Sequence, residues 1–449
     1  MAAKKLLVIN PWIHDFKAYD LWMSPLGLLT VIALLKREGY EVHYLDCLNR
    51  NHEGIPSHER PPSGPSGCGK YYWEELEKPF LFRDIPRRYK RYGIPLKSFK
   101  AMLASMSQPD AVLVGSGMTY WYGGAHEAIA EVRESFPGAP VILGGLYCRL
   151  APDHARIHSG AHHVISSGEA GSLLDILSSL TGKERVHRYD SYADLPMPAY
   201  EMIEHMEYLP LLTSTGCPWR CSYCASSLLY PHYHSRDSGE ILSMLEKISS
   251  ERSLDHLVLY DDAFLYRYKR HAGPLLSRMT QEGQKWKIHT PNALHGCFID
   301  GPVASTLKKA GFKTIRLGLE FLSREMQHST GGKVSAHAME KAIRCLNEAG
   351  FSPRDIGVYV MAGVPGVMSA EIREALLAVH RWGALGKLVE YSPIPGTGLW
   401  NDFPGTGSPE AWDPLFHNNT FHTYRGTVLP FGEFEELRQL CLALNRKLA

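Results

Sequence analysis

The sequence predicts an α/β protein with two consecutive parts, each built on a parallel sheet. Short apolar runs alternate with amphipathic segments through most of the chain, which is typical of strands spaced by helices. A turn-rich stretch at about 186–205, containing DLPMPAYEM, separates one such series from the next. A chain of 449 residues is also longer than one core usually organises, so more than one domain is expected.

The first series predicts a doubly wound, Rossmann-like sheet over residues 1–185. Apolar runs predict strands at 6–10, 41–46, 110–115, 139–145 and 162–168. Amphipathic segments predict helices at 24–40, near 124–135 and near 153–159. In such sheets ligands bind at the carboxyl ends of the strands, so the loops that follow the strands are the candidate binding loops.

An insertion at about 50–108 interrupts this series. Its first part is rich in proline, glycine and serine and predicts a loop. It continues as IPRRYKRYGIP, which concentrates four cations and two tyrosines. Such a run could contact phosphate, nucleic acid or an acidic peptide, but a solvated helix face is the commoner explanation, and we favour it.

The second series predicts an open, partial (β/α)6 barrel of TIM type over residues 206–400. Strands are predicted at 207–216, 255–262, 286–292, 313–320, 355–366 and 387–398. Helices are predicted at 237–251, 271–283, 299–310, 336–350 and 370–384. Six β/α steps are fewer than the eight of a closed barrel. Residues 401–449 are expected to form a small carboxy-terminal extension with an amphipathic helix at 432–447.

Composition narrows the classes of partner. The 48 basic and 47 acidic residues give a formal charge of +1, which argues against bulk attraction to nucleic acid or anionic membranes. No apolar run approaches the roughly 20 residues of a membrane span, and the amino terminus lacks a signal-peptide pattern. The nine cysteines are mostly scattered, so a reducing cytoplasm is expected rather than a disulfide framework.

Three cysteines stand apart from the rest. The segment TGCPWRCSYC places Cys217, Cys221 and Cys224 within eight positions, at the end of the first strand of the second series. Thiolates are soft ligands that select zinc or an iron–sulfur cluster. Structural zinc would need a fourth ligand, for which His232 or His234 are available. A cubane cluster held by three cysteines would instead leave one iron open to a small molecule.

The spacing Cys-x-x-x-Cys-x-x-Cys resembles the signature of the radical S-adenosylmethionine (radical SAM) superfamily. A doubly wound sheet ahead of this motif is similar to the cobalamin-dependent branch of those enzymes. The resemblance implies a [4Fe–4S] cluster on the three cysteines, with S-adenosylmethionine at the open iron. We therefore favour the cluster over zinc.

The resemblance also implies contacts to S-adenosylmethionine. The predicted set comprises Tyr223 near the adenine, Asp261 or Asp262 for the methionine ammonium, Arg316 and Glu320 for its carboxylate and ribose, Gly363 in the fifth-strand motif, and Pro393 in the sixth-strand loop. A carboxylate suits the ammonium cation. The alternatives are structural: two aspartates at a strand end often cap a helix, and the arginine and glutamate could form an ion pair.

Four loops of the first series follow strands directly, and together they favour a bound ligand. Any one of them could be an ordinary turn. The resemblance implies that this ligand is cobalamin. The contacts it implies are Asn10, Pro11, Trp12, Gly115, Ser116, Gly117, Met118, Thr119, Gly144, Gly145, Gly168 and Glu169. The Asp-x-His-x-x-Gly signature of many cobalamin proteins is absent, because the residues around His14 do not fit it. The lower axial position could be open or filled by another side chain such as Trp12 or Tyr120.

The resemblance implies a reaction as well. An external donor of flavodoxin or ferredoxin type would supply an electron, S-adenosylmethionine would be cleaved reductively, and the resulting radical would activate an unactivated carbon for methylation by way of cobalamin. The substrate is unknown, small-molecule or other, with Asn292 and His295 as candidate contacts. Two alternatives stay open: a cobalamin-dependent cyclase or rearrangement enzyme, and a non-catalytic sensor that binds cobalamin or the cluster.

Overall fold

The computed structural model describes residues 3–283 and 286–448. The chain divides into two compact units. The first comprises the residues up to Met206 together with Ser408–His417, and the second comprises Glu207–Gly407 together with the residues from Asn418 onward. Both differ from the predicted boundaries, since the predicted linker and part of the predicted extension belong to the first unit.

The strands of the first unit are β1 (Lys5–Asn10), β2 (Ile13–Asp15), β3 (Glu41–Asp46), β4 (Trp73–Leu76), β5 (Tyr89–Tyr92), β6 (Ala111–Val114), β7 (Val141–Leu143) and β8 (His163–Val164). Its helices are α1 (Leu26–Arg37), α2 (Leu96–Ala104), α3 (Tyr122–Ser135), α4 (Leu146–Leu150), α5 (Pro152–His158) and α6 (Ala170–Thr181). The sequence pattern had given no prediction for α6.

The main sheet of the first unit is parallel, with the strand order β3-β1-β6-β7-β8. This confirms the predicted doubly wound sheet, and the order reverses between β1 and β6, where such sheets bind ligands. Successive residues of β1 enter cores on opposite faces. Leu7 and Ile9 pack in one core with residues of α3, whereas Leu6 and Val8 pack in the other with residues of α1 and α6. Burial on both faces explains the continuous apolar runs.

The insertion forms part of a small antiparallel sheet, in the order β2-β5-β4. The predicted solvated helix face for IPRRYKRYGIP is therefore wrong. Its central residues are strand β5, in which Arg91 is buried and forms ion pairs with Glu74 and Glu127. Tyr89 is buried against Phe16, with ring centroids 5.5 Å apart. The strand is thus largely buried, and its buried cation is neutralised by two carboxylates.

The predicted linker is anchored to the end of α1 by Glu38, which is only 2% exposed. Its carboxylate accepts hydrogen bonds from the backbone N–H of Val186 (2.6 Å) and of His187 (3.1 Å) and from the Tyr189 hydroxyl (2.9 Å). Burial raises the pKa of Glu38, but these hydrogen bonds outweigh it and leave the pKa below the usual value of 4.5.

The strands of the second unit are β9 (Leu209–Leu211), β10 (Ser214–Thr215), β11 (His234–Ser235), β12 (His256–Leu259), β13 (Lys287–His289), β14 (Phe312–Glu320), β15 (Ile356–Ala362) and β16 (Leu385–Glu390). Its helices are α7 (Ser226–Leu229), α8 (Ser238–Glu251), α9 (Ala272–Gln281), α10 (Gly301–Lys309), α11 (Arg324–Ser329), α12 (Ala336–Glu348), α13 (Ser369–Arg381), α14 (Asn419–Arg425) and α15 (Phe431–Leu448).

The main sheet of the second unit has its strands in consecutive order, from β9 through β12, β13, β14 and β15 to β16, all parallel. This is the order of a β/α barrel, and within the described residues β9 and β16 do not pair, so the predicted partial barrel is confirmed. The edge strand β16 is covered by α15. Asn445 accepts from the Gly386 N–H and donates to the Gly386 carbonyl, both at 2.9 Å.

Within residues 3–283 and 286–448, the structure contains no helix with the length and apolar character of a membrane span.

Glu38→Gln is expected to lower the free energy of unfolding of the first unit by about 1–3 kcal/mol near pH 7, because buried hydrogen bonds to a charged group are lost. A depressed folded-state pKa stabilises the protein above the unfolded pKa, and that stabilisation is lost as the pH falls through the folded pKa. The difference between variant and wild type should therefore shrink below about pH 4.5. Urea unfolding across pH, with hydrogen exchange at the Val186 and His187 amides, measures both effects.

The control is Glu41→Gln, which changes an exposed carboxylate at the start of β3 and should alter neither quantity. If the two variants behaved alike, Glu38 would not be the anchor of this segment.

Candidate active site

The three cysteines of the motif lie on the loop that follows β10. Cys217, Cys221 and Cys224 are all half-buried, and their thiols are unbridged within the described chain. Burial raises the pKa of Cys217 to about 12. Burial also raises the pKa of Cys221, against the lowering effects of the Lys333 charge and a hydrogen bond from Tyr223. Deprotonating these thiols at neutral pH therefore calls for a bound cation.

Two other loops fix the cysteine loop through the backbone of Ser222. The Ser222 N–H donates to the Thr330 carbonyl at 3.1 Å, and the Ser222 carbonyl accepts from the Leu399 N–H at 2.8 Å. Thr330 follows α11, and Leu399 belongs to the loop after β16. Both sides of the motif are therefore tied to other steps of the barrel.

Gly331 makes the tightest of these approaches. Its backbone has a φ of +123°, and a Cβ at this position would lie 2.9 Å from Cys221 Cα and 3.2 Å from its Sγ. Glycine is required here both by the backbone conformation and by the lack of space.

A buried ion pair lies beside the cysteines. Lys333 Nζ contacts Glu320 Oε1 at 2.7 Å, and the two side chains are only 16% and 9% exposed. Lys333 Nζ is also 5.5 Å from the centroid of the Tyr223 ring. Burial lowers the pKa of Lys333, but Glu320 and the nearby thiols outweigh this and raise it. The lysine is therefore a permanent positive charge next to the motif.

Backbone features make room for this ion pair. A Cβ on Gly318 would lie 2.6 Å from Glu320 Oε1 and 2.7 Å from Lys333 Nζ. Glu320 itself has a φ of +62°, an uncommon conformation for a residue with a side chain. Strain of this kind is typically found where the surrounding structure fixes a functional group.

The thiol set fits an iron–sulfur cluster. Within the described residues, no three His, Cys, Asp or Glu side chains converge on one point as a mononuclear metal site requires. A cubane asks for a wider arrangement, since each thiolate binds a different iron. His232 and His234, the alternatives for a fourth zinc ligand, are both exposed. Three soft ligands on one backbone-fixed loop therefore suit a [4Fe–4S] cluster with one iron open.

The two candidate aspartates have different surroundings. Asp261 is 3% exposed, and it accepts from Thr213 N–H (3.1 Å), Thr213 Oγ1 (2.6 Å) and Ser214 Oγ (2.5 Å). Its carboxylate thus braces the backbone that leads into the cysteine loop. Asp262 accepts from Ser226 Oγ at 2.9 Å, and that hydroxyl lies 3.3 Å from Cys224 Sγ. Of the two, Asp262 is the one connected to a cysteine.

His295, one of the two candidate substrate contacts, lies against the cysteine loop. Its Nε2 is 3.9 Å from Cys217 Sγ, and its ring stacks on Trp219 with centroids 4.3 Å apart. Burial lowers the pKa of His295 to about 3, so it is neutral. Asn292, the other substrate candidate, is exposed and donates to the Tyr260 carbonyl at 2.6 Å.

The remaining S-adenosylmethionine candidates lie on strands β14 to β16 or just after them. Arg316 is on β14, where the absence of a side chain at Gly357 leaves it space. Gly363 follows β15, and the buried Pro393 follows β16. Gly363 borders a cavity together with Ala362, Tyr391, Phe403, His422 and Leu429. His422 belongs to α14, so the carboxy-terminal region helps to wall this cavity.

Several predicted cobalamin contacts of the first unit are occupied by internal bonds. Asn10 Nδ2 donates to Asp46 Oδ1 at 2.7 Å. Trp12 is buried, as is Pro11, and its indole N–H donates to the Ile94 carbonyl at 2.7 Å. Thr119 Oγ1 is 2.8 Å from His417 Nδ1. These contacts leave Trp12 and Thr119 in supporting positions, and Tyr120, the other axial candidate, is buried too.

The other loops present an accessible, small-residue edge. Ser116 Oγ donates to the Gly144 carbonyl at 2.6 Å, which joins the loops after β6 and β7. A Cβ on Gly144 would meet no atom within 4 Å, whereas one on Gly145 (φ +107°) would lie 2.2 Å from the Ser116 carbonyl oxygen. Further residues that extend this edge are Gly115, Gly117, Met118, Gly168 and Glu169. A flat ligand could approach this backbone closely.

Sequence reasoning missed several residues of the site. Lys333 is the most important of them, and Trp219, Thr213 and Ser226 also contact the residues discussed above. The run Gly331-Gly332-Lys333 after the fourth barrel strand was the available signal for the lysine. Two glycines ahead of a single cation indicate a backbone that approaches another group closely.

Comparison with known proteins identifies a family for part of the chain. Residues 211–379 match the Radical SAM superfamily. The chain is 23% identical over 218 residues to an uncharacterized methyltransferase of Pyrococcus horikoshii, which covers 46% of either protein. It is 21% identical over 243 residues to the anaerobic magnesium-protoporphyrin IX monomethyl ester cyclase of Cereibacter sphaeroides, covering 53% of this chain and 38% of the cyclase. The chain thus spans less than half the length of the curated relatives it matches.

A solved structure shares the fold of nearly the whole chain. It is the radical S-adenosylmethionine methyltransferase TsrM from Kitasatospora setae with cobalamin and a [4Fe–4S] cluster bound. The TM-score is 0.68 at 15% identity, over 99% of this chain and 91% of TsrM. At this identity the likeness shows a common fold.

Gly331→Ala is expected to prevent assembly of the iron–sulfur cluster, because the new methyl group would press on Cys221 at a cost of about 1–3 kcal/mol before backbone strain is added. Iron and sulfide content after anaerobic reconstitution, with the charge-transfer absorbance, measures the effect. Gly332→Ala is the matched control, since Gly332 also has a positive φ (+63°) but a Cβ there would meet no atom within 4 Å. Equal losses in both variants would mean that strain, and not the contact with Cys221, is responsible.

Proposed function

We propose that this chain, whose residues 211–379 match the Radical SAM superfamily, is a cobalamin-dependent radical SAM enzyme that methylates an unactivated carbon. The observation that carries the proposal is the backbone-fixed loop of three unbridged cysteines at the end of the first barrel strands. When bound, the cluster supplies the electron that cleaves S-adenosylmethionine, and cobalamin supplies the methyl group.

For S-adenosylmethionine, we assign the ammonium contact to Asp262 and a positioning role to Asp261. The carboxylate of Asp261 already accepts three hydrogen bonds, whereas Asp262 accepts one, from Ser226. Further proposed contacts are Tyr223, Arg316, Glu320, Gly363 and Pro393. Gly363 and Pro393 directly follow β15 and β16, and the carboxyl ends of parallel strands are where ligands bind in such sheets, which supports a ligand on that side of the second unit.

For cobalamin, we propose the edge formed by the loops after β6, β7 and β8. The support is the joined, glycine-rich backbone at Ser116, Gly144 and Gly145 and its place in a doubly wound sheet. The fold shared with TsrM adds to it. We assign Trp12 and Asn10 to the support of this edge, because their polar groups are bonded internally. His14 is likewise engaged, since its Nε2 is 3.0 Å from Glu127 Oε2.

Methylation is favoured over the alternatives by the two methyltransferases among the similar proteins. Ring formation is the second candidate function, and the similarity to an ester cyclase over 53% of this chain supports it. We further propose that the substrate is a small molecule and that an external flavodoxin- or ferredoxin-type protein donates the electron. A sensor would need no site for S-adenosylmethionine cleavage.

The test is anaerobic reconstitution of the chain with iron, sulfide and hydroxocobalamin, followed by addition of dithionite and S-adenosylmethionine. Formation of both 5′-deoxyadenosine and S-adenosylhomocysteine is expected. 5′-Deoxyadenosine without S-adenosylhomocysteine would favour the cyclase or rearrangement alternative. Neither product, from protein shown to contain its cluster, would contradict the proposed enzyme and favour the sensor.

Cys221→Ala should lose the cluster and both products, because one of three ligands is removed. Cys345→Ala is the matched control, since Cys345 is buried in α12 outside the motif and should retain both. A variant at Cys221 that still formed 5′-deoxyadenosine would refute the assignment of this motif to the cluster.

Gly144→Leu is expected to abolish cobalamin binding while the unit stays folded, because the space around Gly144 is open within the chain and the side chain would project where the ligand lies. A loss of at least about tenfold in affinity, equivalent to about 1.4 kcal/mol, is expected in equilibrium dialysis with hydroxocobalamin. Gly301→Leu, at an equally open position at the start of α10 in the second unit, serves as the control. Unchanged binding in Gly144→Leu would exclude this edge as the cobalamin site.

A further inference from the structure

The Lys333–Glu320 ion pair has a position that stability alone does not explain. Burying two opposite charges costs desolvation energy that their attraction barely repays, so such a pair is weak evidence for a stabilising role. Glu320 additionally has a φ of +62°, which is strained for a residue with a side chain. The pair lies beside the cysteine loop: Lys333 Nζ is 5.5 Å from the centroid of the Tyr223 ring, and Gly331, two residues before the lysine, packs on Cys221.

From this geometry we infer that Lys333 is a positioning residue whose charge, partly offset by Glu320, sets the reduction potential of the cluster. The inference rests on the proposed function, since it requires a [4Fe–4S] cluster on Cys217, Cys221 and Cys224. It assigns to the ion pair an electrostatic task within that function.

The sign of the effect follows from charge. A [4Fe–4S]²⁺ core with three thiolates carries a net charge of −1, and the gain of one electron from a reductant such as dithionite makes it −2. A nearby cation stabilises the more negative state and therefore raises the reduction potential. The carboxylate of Glu320 opposes it. Both side chains are largely removed from water, so their charges are poorly screened.

The loop that carries Lys333 keeps this charge in place. Thr330 is bonded to the cysteine loop through Ser222, and Gly331 packs on Cys221. The lysine follows two residues later and contacts both Glu320 and the face of Tyr223. These contacts hold the loop and the lysine against the cysteine motif, so the charge is positioned close to the thiols.

The test is a redox titration of the reconstituted full-length chain, monitored by electron paramagnetic resonance of the reduced cluster, without S-adenosylmethionine or substrate. Lys333→Gln should lower the potential, so that at a fixed solution potential the ratio of reduced to oxidised cluster falls about tenfold, equal to 59 mV for one electron. Glu320→Gln should raise the potential. Lys333→Arg should stay near wild type, as should Lys308→Gln, an exposed lysine of α10.

Reduction potentials that shift in opposite directions in Lys333→Gln and Glu320→Gln would show an electrostatic effect. If the ion pair were merely structural, losing it through either residue would change the potential in the same direction. Shifts of the same sign, or no shift in variants with full iron content, would overturn the inference. If Lys333→Gln does not load its cluster, the direction of the shift in Glu320→Gln decides. An unchanged potential with weakened S-adenosylmethionine binding in Lys333→Gln would make the lysine a ligand contact instead.

Failure of the proposed function and failure of the inference about Lys333 give different experimental results. A wild-type chain that binds no cluster, or whose cluster forms no 5′-deoxyadenosine, contradicts the proposed function. A wild-type cluster that is active but indifferent to both charge variants contradicts the inference about Lys333 alone.

Discussion

The contact between the loop at Thr330–Lys333 and the cysteine loop is the constraint on which the rest of the candidate site depends. Three thiols on one flexible turn would not by themselves keep the spacing that a cluster needs. The bonds of the Ser222 backbone and the approach of Gly331 to Cys221 supply that rigidity from two distant parts of the barrel. The same loop carries Lys333, whose ammonium lies beside the motif.

The two units use polar burial in the same way. In the first, Arg91 is buried between Glu74 and Glu127, and Glu38 binds the segment that leaves α6. In the second, Asp261 accepts three hydrogen bonds under the cysteine loop. Each of these buried charges has at least two polar partners. This makes the arrangement specific, because loss of a partner would cost several kcal/mol, or about 3–5 for a broken ion pair.

Local patterns in the sequence were enough to predict the sheets and the cysteine motif. Features that depend on contacts between distant residues could not be predicted in this way. The apolar runs at β1 and β15 and the spacing of Cys217 to Cys224 are local signals, so both sheets and the motif were predicted. The sequence predicts a helix face at Tyr89–Tyr92 instead of the observed strand, because the pairing of this strand with β2 and β4 is non-local. The choice between Asp261 and Asp262 depends on hydrogen bonds from Thr213, and the position of Lys333 depends on the packing of its loop against Cys221, both across long sequence separations.

The carboxy-terminal segment contributes to both units, which explains why its sequence shows no continuous helical or strand period. Residues Ser408–His417 belong to the first unit, where His417 contacts Thr119 and Asp413 contacts Tyr122, so this stretch braces the loop after β6. The residues from Asn418 onward belong to the second unit, where α14 walls the cavity at Gly363 and α15 covers β16. A segment that serves two cores in turn follows neither a helical nor a strand period throughout. Its sequence is instead determined by individual contacts, which lie at the loop after β6 in the first unit and at the cavity beside Gly363 in the second.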